Sequence, residues 1–258
     1  MRLAGKTIVI VGGSTGLGLS AAAACHREGA QLMIVGRDEA NCRRAVDTVG
    51  SDNAIWIAGD ARDAATAPRA IEEAVRQFGS FDALYHVAGG SGRSHGDGPL
   101  HELSDAGWSF TVEQNLSSVA HSNRAAAAYW MAAGRGGAVL NMGSVLAAHP
   151  SSEHFATHAY AAAKAGIVGL TKAAAAYYAS HDIRFNVIAP ALVETPMSKR
   201  ATADVDIVAA VRRKQPLDGG RVGRPTDLDG AVVHLLSDES GFTTGQVFNI
   251  DGGWSVSG

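Results

Sequence analysis

The sequence predicts an α/β fold: one doubly wound, mostly parallel sheet of Rossmann type, with helices on both faces. Three observations carry this expectation. Short, β-branched apolar runs recur without the polar alternation of a strand that has one wet face, as in the TIVIV run of residues 7–11. Helical stretches of about a dozen residues separate these runs, which is the βαβ rhythm of a parallel sheet. The first run passes directly into a glycine-rich turn and then a helix. At 258 residues the chain is long enough to bury one large core. No repeat, low-complexity tract or linker divides it, so a single domain suffices.

Residues 7–11 form the first strand, followed by Gly12-Gly13-Ser14-Thr15-Gly16-Leu17-Gly18 and a helix over residues 19–28. Strand, glycine turn and helix together aim backbone N–H groups and a helix N-terminus at a phosphate. No Gly-Lys-Ser/Thr follows, so the turn is not a Walker loop. Residues 31–35 form the second strand, ending at Gly36-Arg37-Asp38. A strand end about twenty residues past such glycines is where the adenosine ribose is read. No acid stands at this tip to take both ribose hydroxyls. Arg37 suits a 2′-phosphate, and Asp38 reads as the N-cap of the next helix. The expected cofactor is NADP(H) in preference to NAD(H).

Residues 54–58 form the third strand, ending at Gly59-Asp60-Ala61, and residues 64–78 are helical. The fourth strand, 82–87, ends at His86-Val87-Ala88-Gly89-Gly90. The Gly-, Ser- and His-rich loop 91–98 lies at the binding edge and reads equally as a substrate contact or a plain surface loop. The next helix carries Asn115 and ends near Ala133. Strand 137–142 delivers Ser144 to the same edge, and helix 158–179 carries Tyr160 and Lys164. Strand 183–188, a partly helical insertion over 191–215, helix 226–236 and strand 246–250 complete the chain. The insertion is the expected substrate loop. Ligands in such folds sit at the carboxyl ends of the strands, where every motif named so far falls.

The chemistry centres on Tyr160 and Lys164. Four residues apart on a helix, they lie one turn above each other on one face. An ammonium beside a phenol favours the phenolate and lowers its pKa. Bringing a phenol from ~10 to ~7 takes about 4 kcal/mol of differential stabilisation. A Tyr so tuned passes a proton to or from an alcohol oxygen at neutral pH. Ser144 is placed to hydrogen-bond that same oxygen.

The composition excludes other classes. A net charge of −3 and a pI near 6.3 argue against nucleic acid, which requires a basic face. Cys25 and Cys42 cannot build a disulfide framework and fit a reducing compartment. No apolar run approaches the ~20 residues of a membrane span, and the N-terminal residues lack the apolar core and cleavage site of a signal peptide. A cytoplasmic location is expected, with no membrane and no nucleic-acid partner. Residues 158–179 include no acid and only Lys164 and Lys172 as lysine or arginine, and residues 118–133 carry only Arg124. A helix on a sheet with its other face in water should carry a polar stripe. These faces are expected to meet another subunit in a homo-oligomer.

These residues together are similar to those of the short-chain dehydrogenase/reductase family, nearly from end to end. The matching pieces are Gly12, Gly16 and Gly18, then Asp60, Ala88-Gly89, Asn115, Ser144, Tyr160 and Lys164. Asn186-Val187-Ile188-Ala189-Pro190, Thr195, Gly223-Arg224-Pro225, Ser240 to Gly245 and Asp251-Gly252-Gly253 follow. The resemblance implies Tyr160 as general acid/base, with Lys164 lowering its pKa and binding the nicotinamide ribose. Ser144 would polarise the carbonyl, and Asn115 would hold the Lys-linked water that relays the proton. Gly12, Ser14, Thr15, Leu17 and Gly18 would cradle the phosphates, Asp60 and Ala61 the adenine, and Gly89 the adenine ribose. Pro190, Val193 and Thr195 would hold the carboxamide. The resemblance also implies a tetramer.

Four features depart from the family pattern. Val11 and His86 replace a Thr and an Asn that help tie the two loops together by hydrogen bonds, which bears on loop rigidity. Ala191 follows the Pro where a Gly is common. The Ser144–Tyr160 interval is longer, adding material around Pro150-Ser151-Ser152-Glu153 at the substrate pocket.

Other signals read as structural. His149, His154 and His158 lack the Cys or carboxylate partners of a metal site, although the last two are spaced for one helix face. Arg212-Arg213-Lys214 reads as a solvated helix end, and Trp254 as packing. The expected function is NAD(P)(H)-dependent interconversion of a carbonyl and a secondary alcohol in a small molecule. Two alternatives stand beside it. A non-catalytic dinucleotide-binding regulator would keep the glycine loop but could lose the Tyr–Lys site. A sugar-nucleotide epimerase or dehydratase usually needs a further substrate domain, for which this chain has little length.

Overall fold

The computed structural model describes residues 1–257. Its strands are β1 (Thr7–Val11), β2 (Gln31–Gly36), β3 (Ala54–Ala58), β4 (Ala83–His86), β5 (Gly137–Met142), β6 (Ile183–Pro190) and β7 (Val247–Ile250). All pair in parallel in the order β3-β2-β1-β4-β5-β6-β7. The chain winds outward from β1 in one direction to β3 and in the other from β4 to β7. That reversal opens a crevice at the carboxyl ends of β1 and β4, where a ligand fits in such sheets.

The helices are α1 (Gly16–Arg27), α2 (Glu39–Val49), α3 (Thr66–Phe78), α4 (Asp105–Val112), α5 (Ser118–Ala133), α6 (His158–Tyr178), α7 (Lys199–Ala203), α8 (Val205–Lys214) and α9 (Asp229–Leu236). Helices α1, α2 and α9 cover one face of the sheet, and α3, α5 and α6 cover the other. Strand β1 shows why its sequence is apolar from Ile8 to Val11. Ile8 and Ile10 join the core under α1, α2 and α9, while Val9 and Val11 join the core under α3, α5 and α6. Full burial of such side chains contributes about 1.5–3 kcal/mol each, which favours apolar residues on both faces. The one polar residue, Thr7, has its hydroxyl bonded to Gln31.

Four local differences from the sequence expectation have physical causes. The helix expected to run through Asn115 is two helices, α4 and α5, joined by a π-helical turn at Glu113–Ser117. That turn directs Asn115 into the interior, where it is fully buried. Helix α9 starts at Asp229 rather than 226, because Pro225–Asp227 is a 3-10 turn in which Asp227 accepts from the Arg224 N–H at 2.7 Å. The insertion resolves into α7 and α8, and Asp204 caps α8 through the N–H groups of Asp206 and Ile207. Helix α6 begins at His158, and His154 lies outside it with a φ of 61°. His154 and His158 therefore share no helix face.

Asp38 caps α2 as expected, accepting from Asn41 N–H at 2.7 Å. Helices α7 and α8 fold over the carboxyl edge of the sheet. There Val145, Ala201, Ile207, Val211 and Trp254 form a separate small core beside Ser144.

Candidate active site

The glycine turn after β1 is shaped by close backbone approaches. Gly12 has a φ of 92°, and a Cβ on it would stand 2.5 Å from the Ala88 nitrogen. A Cβ on Gly18 would overlap the Gly12 carbonyl oxygen and lie 2.8 Å from its carbon. Gly18 thus works from within α1, by letting the helix start against the turn, and does not line the cleft. The substitutions at Val11 and His86 leave the two loops joined through the backbone. The Val11 carbonyl accepts from Val87 N–H at 2.8 Å and from Ala88 N–H at 2.9 Å. His86 is fully buried, bonds Ser122 Oγ through Nδ1 at 2.7 Å, and has its pKa pushed down to about 3 by that burial.

A cleft of about 270 Å³ opens over this turn. Ser14, Thr15 and Leu17 line one end, and Arg37, Asp60 and Ala61 the other. At the start of α1, Thr15 makes no side-chain cap bond and the first turn holds no acid. Its N–H groups and positive dipole end are free to receive phosphates. The cleft therefore fits a dinucleotide. Asp60 is not free, since its carboxylate pairs with Arg62 at 2.7 Å, which holds its pKa below the usual carboxylate range. Arg62, which the sequence did not single out, is a second cation beside Arg37 at this end of the cleft.

A smaller space of about 110 Å³ continues from the cleft and brings together Leu17, Gly89, Ser144, Tyr160, Lys164, Pro190, Val193 and Thr195. Lys164 is only 2% exposed. Its Nζ donates to the Met142 carbonyl at 2.8 Å and stands 5.5 Å from the centre of the Tyr160 ring. The pKa expectation for Tyr160 is reversed in this structure. Burial pushes the Tyr160 phenol up to about 12, partly offset by the Ser144 hydroxyl, and the same burial drives Lys164 down to about 7. Lys164, desolvated and aimed at a carbonyl, does not offset the rise at Tyr160.

Asn115 lies beside this group rather than in the cavity. Its amide donates to the carbonyls of Gly90 and Thr111 at 2.9 Å, and its Oδ1 accepts from Gly90 N–H at 3.1 Å. A Cβ on Gly89 would lie 2.7 Å from that Oδ1 and 3.5 Å from Lys164 Nζ. Asn115 thus fixes the loop after β4 against the lysine.

Residues of the loop 91–98 make two kinds of contact. Asp97, buried at 4% exposure, accepts from the backbone N–H groups of Ala159 and Tyr160 at 3.0 Å each. It caps the helix that carries Tyr160, although 63 residues separate it from that residue. Ser91 and Arg93 line a second space, of about 160 Å³, that opens outward from Ser144 and Tyr160. Trp254 lines it too. It packs as expected, edge-on to Phe155 at 5.9 Å with its Nε1 donating to the His149 carbonyl at 3.1 Å, but it also forms a cavity wall.

A family model described as enoyl-(acyl carrier protein) reductase matches residues 11–255. The chain belongs to the short-chain dehydrogenase/reductase family. It is 33% identical over 253 residues to cis-4-hydroxycyclohexanecarboxylate dehydrogenase of Sinomonas cyclohexanicum, covering 97% of each chain. It is also 33% identical to 2-(S)-hydroxypropyl-CoM dehydrogenase 3 of Xanthobacter autotrophicus, covering 99% of this chain and 98% of that one. The structure superposes on a short-chain type dehydrogenase/reductase from Mycobacterium ulcerans with a TM-score of 0.91 at 27% identity, covering 100% and 92% of the two chains. This short-chain dehydrogenase/reductase is an NAD(P)-dependent oxidoreductase of alcohol and carbonyl groups in small molecules. Among the described residues, no helix is long and apolar enough to cross a membrane.

Proposed function

We propose that Tyr160 is the general acid/base of a carbonyl–alcohol interconversion at the space where Ser144, Tyr160 and Lys164 meet. The observation that carries this reading is their convergence on one cavity that continues the dinucleotide cleft. In reduction, the substrate carbonyl oxygen accepts hydrogen bonds from the Ser144 and Tyr160 hydroxyls. As negative charge develops on that oxygen, Tyr160 gives up its proton and Ser144 holds the oxygen in place. Oxidation runs the same proton back to Tyr160. When held in the cleft, a nicotinamide dinucleotide would supply or take the hydride. Lys164, held by the Met142 carbonyl, is placed to bond the nicotinamide ribose, and Asn115 keeps the loop after β4 and the lysine in register. Gly12, Ser14, Thr15 and Leu17 hold the phosphates over the open start of α1, and Pro190, Val193 and Thr195 flank the nicotinamide end.

NADP(H) is favoured over NAD(H). Arg37 is exposed at the end of β2 on the cleft wall; of the acids near it, Asp38 is occupied in capping α2 and Asp60 is paired with Arg62. The segment 191–215, as α7 and α8, covers the substrate end. The hydroxycyclohexanecarboxylate relative acts on a secondary alcohol of a small ring, and a compact substrate of that kind suits the space beyond Ser144. A homotetramer in the cytoplasm fits the alanine-rich outer faces of α5 and α6, where Met131 and Tyr177 are exposed at 40% and 69%, and the two buried free cysteines. Sedimentation at micromolar concentration tests the assembly, and a stable monomer would contradict it. Cofactor absorbance against ketones and alcohols with both dinucleotides tests the chemistry.

A further inference from the structure

The substrate space beyond Ser144 and Tyr160 carries two cations and no anion. Its wall is apolar, formed largely by Val145, Leu146, Phe155 and Trp254, while Arg93 and Arg200 reach it from opposite elements. No Asp or Glu lines it. Arg93 comes from the 3-10 turn Arg93–His95, and its Nη2 donates to the His154 carbonyl at 2.8 Å. Arg200 comes from α7. The ion pairs formed among the described residues involve other cations. Partial burial and the neighbouring charge of Arg200 hold Arg93 below the usual guanidinium range, against the opposing pull of Asp97.

Isolated surface arginines are ordinary and need no ligand. Here two like charges converge on one apolar cavity, one of them oriented by a backbone carbonyl, in a protein whose net charge is −3. Bringing them together costs repulsion and desolvation. Asp97 offsets part of this for Arg93, but its carboxylate is committed to the N–H groups of Ala159 and Tyr160 and does not line the cavity. A planar guanidinium fork bonds an oxyanion with two donors, and an apolar wall strengthens that attraction by excluding water.

We propose that the substrate is a small ketone or secondary alcohol bearing a carboxylate or sulfonate, clamped by Arg93 and Arg200 while its apolar body rests on Phe155 and Trp254. This rests on Ser144 and Tyr160 marking the carbonyl end of the site. Arg93 and Arg200 line the same space as Ser144 and Tyr160, so in this reading the charged group is held by the arginines while the carbonyl is held by the two hydroxyls.

Calorimetric titration of the NADP⁺-saturated protein with cyclohexanecarboxylate, cyclohexanesulfonate and the uncharged cyclohexanecarboxamide tests it. At least one anion should bind about tenfold or more tighter than the amide, as charge-assisted bonds require. The tighter of the two anions identifies the oxyanion. In the double variant Arg93→Gln/Arg200→Gln that advantage should vanish while NADP⁺ affinity stays at the parent value. Equal binding of all three ligands, binding of none, or an anion preference that survives in the double variant would overturn the clamp. The titration needs no turnover, so the two readings fail separately. A protein inert toward every carbonyl would sink the oxidoreductase site, whereas turnover of neutral ketones without anion preference would sink the clamp alone.

Discussion

Replacing Lys164 by Met should change how stability responds to pH, and the structure sets the size of the effect. Lys164 is 2% exposed, and burial brings its pKa from 10.5 to about 7. A difference of about 3.5 units corresponds to about 5 kcal/mol. The folded-state value is depressed, so between pH 7 and pH 10.5 the unfolded chain binds more protons than the folded one. Stability therefore rises with pH through that window. The contribution is complete above 10.5 and is lost as pH falls through 7. Lys164→Met keeps an apolar stem and removes the titration, at a cost of about 1–3 kcal/mol for the Met142 carbonyl left without its donor. Urea unfolding of cofactor-free parent and variant, at one protein concentration and several pH values, reads the difference. Other titrations, including that of Tyr160, occur in both proteins and largely cancel. The parent should gain several kcal/mol on the variant from the acid to the alkaline end of the window. A difference that stays flat with pH would mean that Lys164 keeps its charge on folding, and the burial argument for both Lys164 and Tyr160 would fail.

Three further outcomes follow from the site. Arg37→Ala should weaken NADPH binding about 10- to 100-fold, the worth of a charge-assisted bond, and leave NADH affinity near the parent value; equal losses would remove the case for NADP(H). Gly18→Ala forces a methyl group against the Gly12 carbonyl, so calorimetry should show dinucleotide affinity falling more than about tenfold, together with a lower Tm; parent affinity would contradict the packing account. Asp97→Ala strips the cap from two N–H groups of α6, which should cost about 1–3 kcal/mol of stability and lower kcat more than cofactor affinity. Asp97→Asn should recover part of that loss, and a variant with parent kcat would show that the cap does not position Tyr160.

The sheet and its ligand edge were legible because each βαβ unit writes its own signal. Strand β1 is apolar on both faces from Ile8 to Val11, and the glycine turn and Tyr160–Lys164 spacing are local patterns. What escaped the sequence depends on distant partners or on burial. Asp97 looks like any loop acid until the fold sets it under the N-terminus of α6. Arg93 and Arg200 are 107 residues apart and converge only when α7 closes over Ser144. The π turn that turns Asn115 inward carries no break in helix propensity. The pKa relation between Lys164 and Tyr160 came out reversed because spacing reports proximity and says nothing about desolvation, which dominates here.

The central claim is that Tyr160 carries the proton in a dinucleotide-linked carbonyl–alcohol reaction. The most direct test follows dinucleotide absorbance for the parent and Tyr160→Phe with a panel of ring and chain ketones and alcohols, with NADPH, NADH and their oxidised forms. The account predicts turnover by the parent, a loss of about 10²–10⁴-fold or more in the variant, and dinucleotide affinity close to the parent value. Turnover by Tyr160→Phe near the parent rate would contradict it and assign the proton to another group.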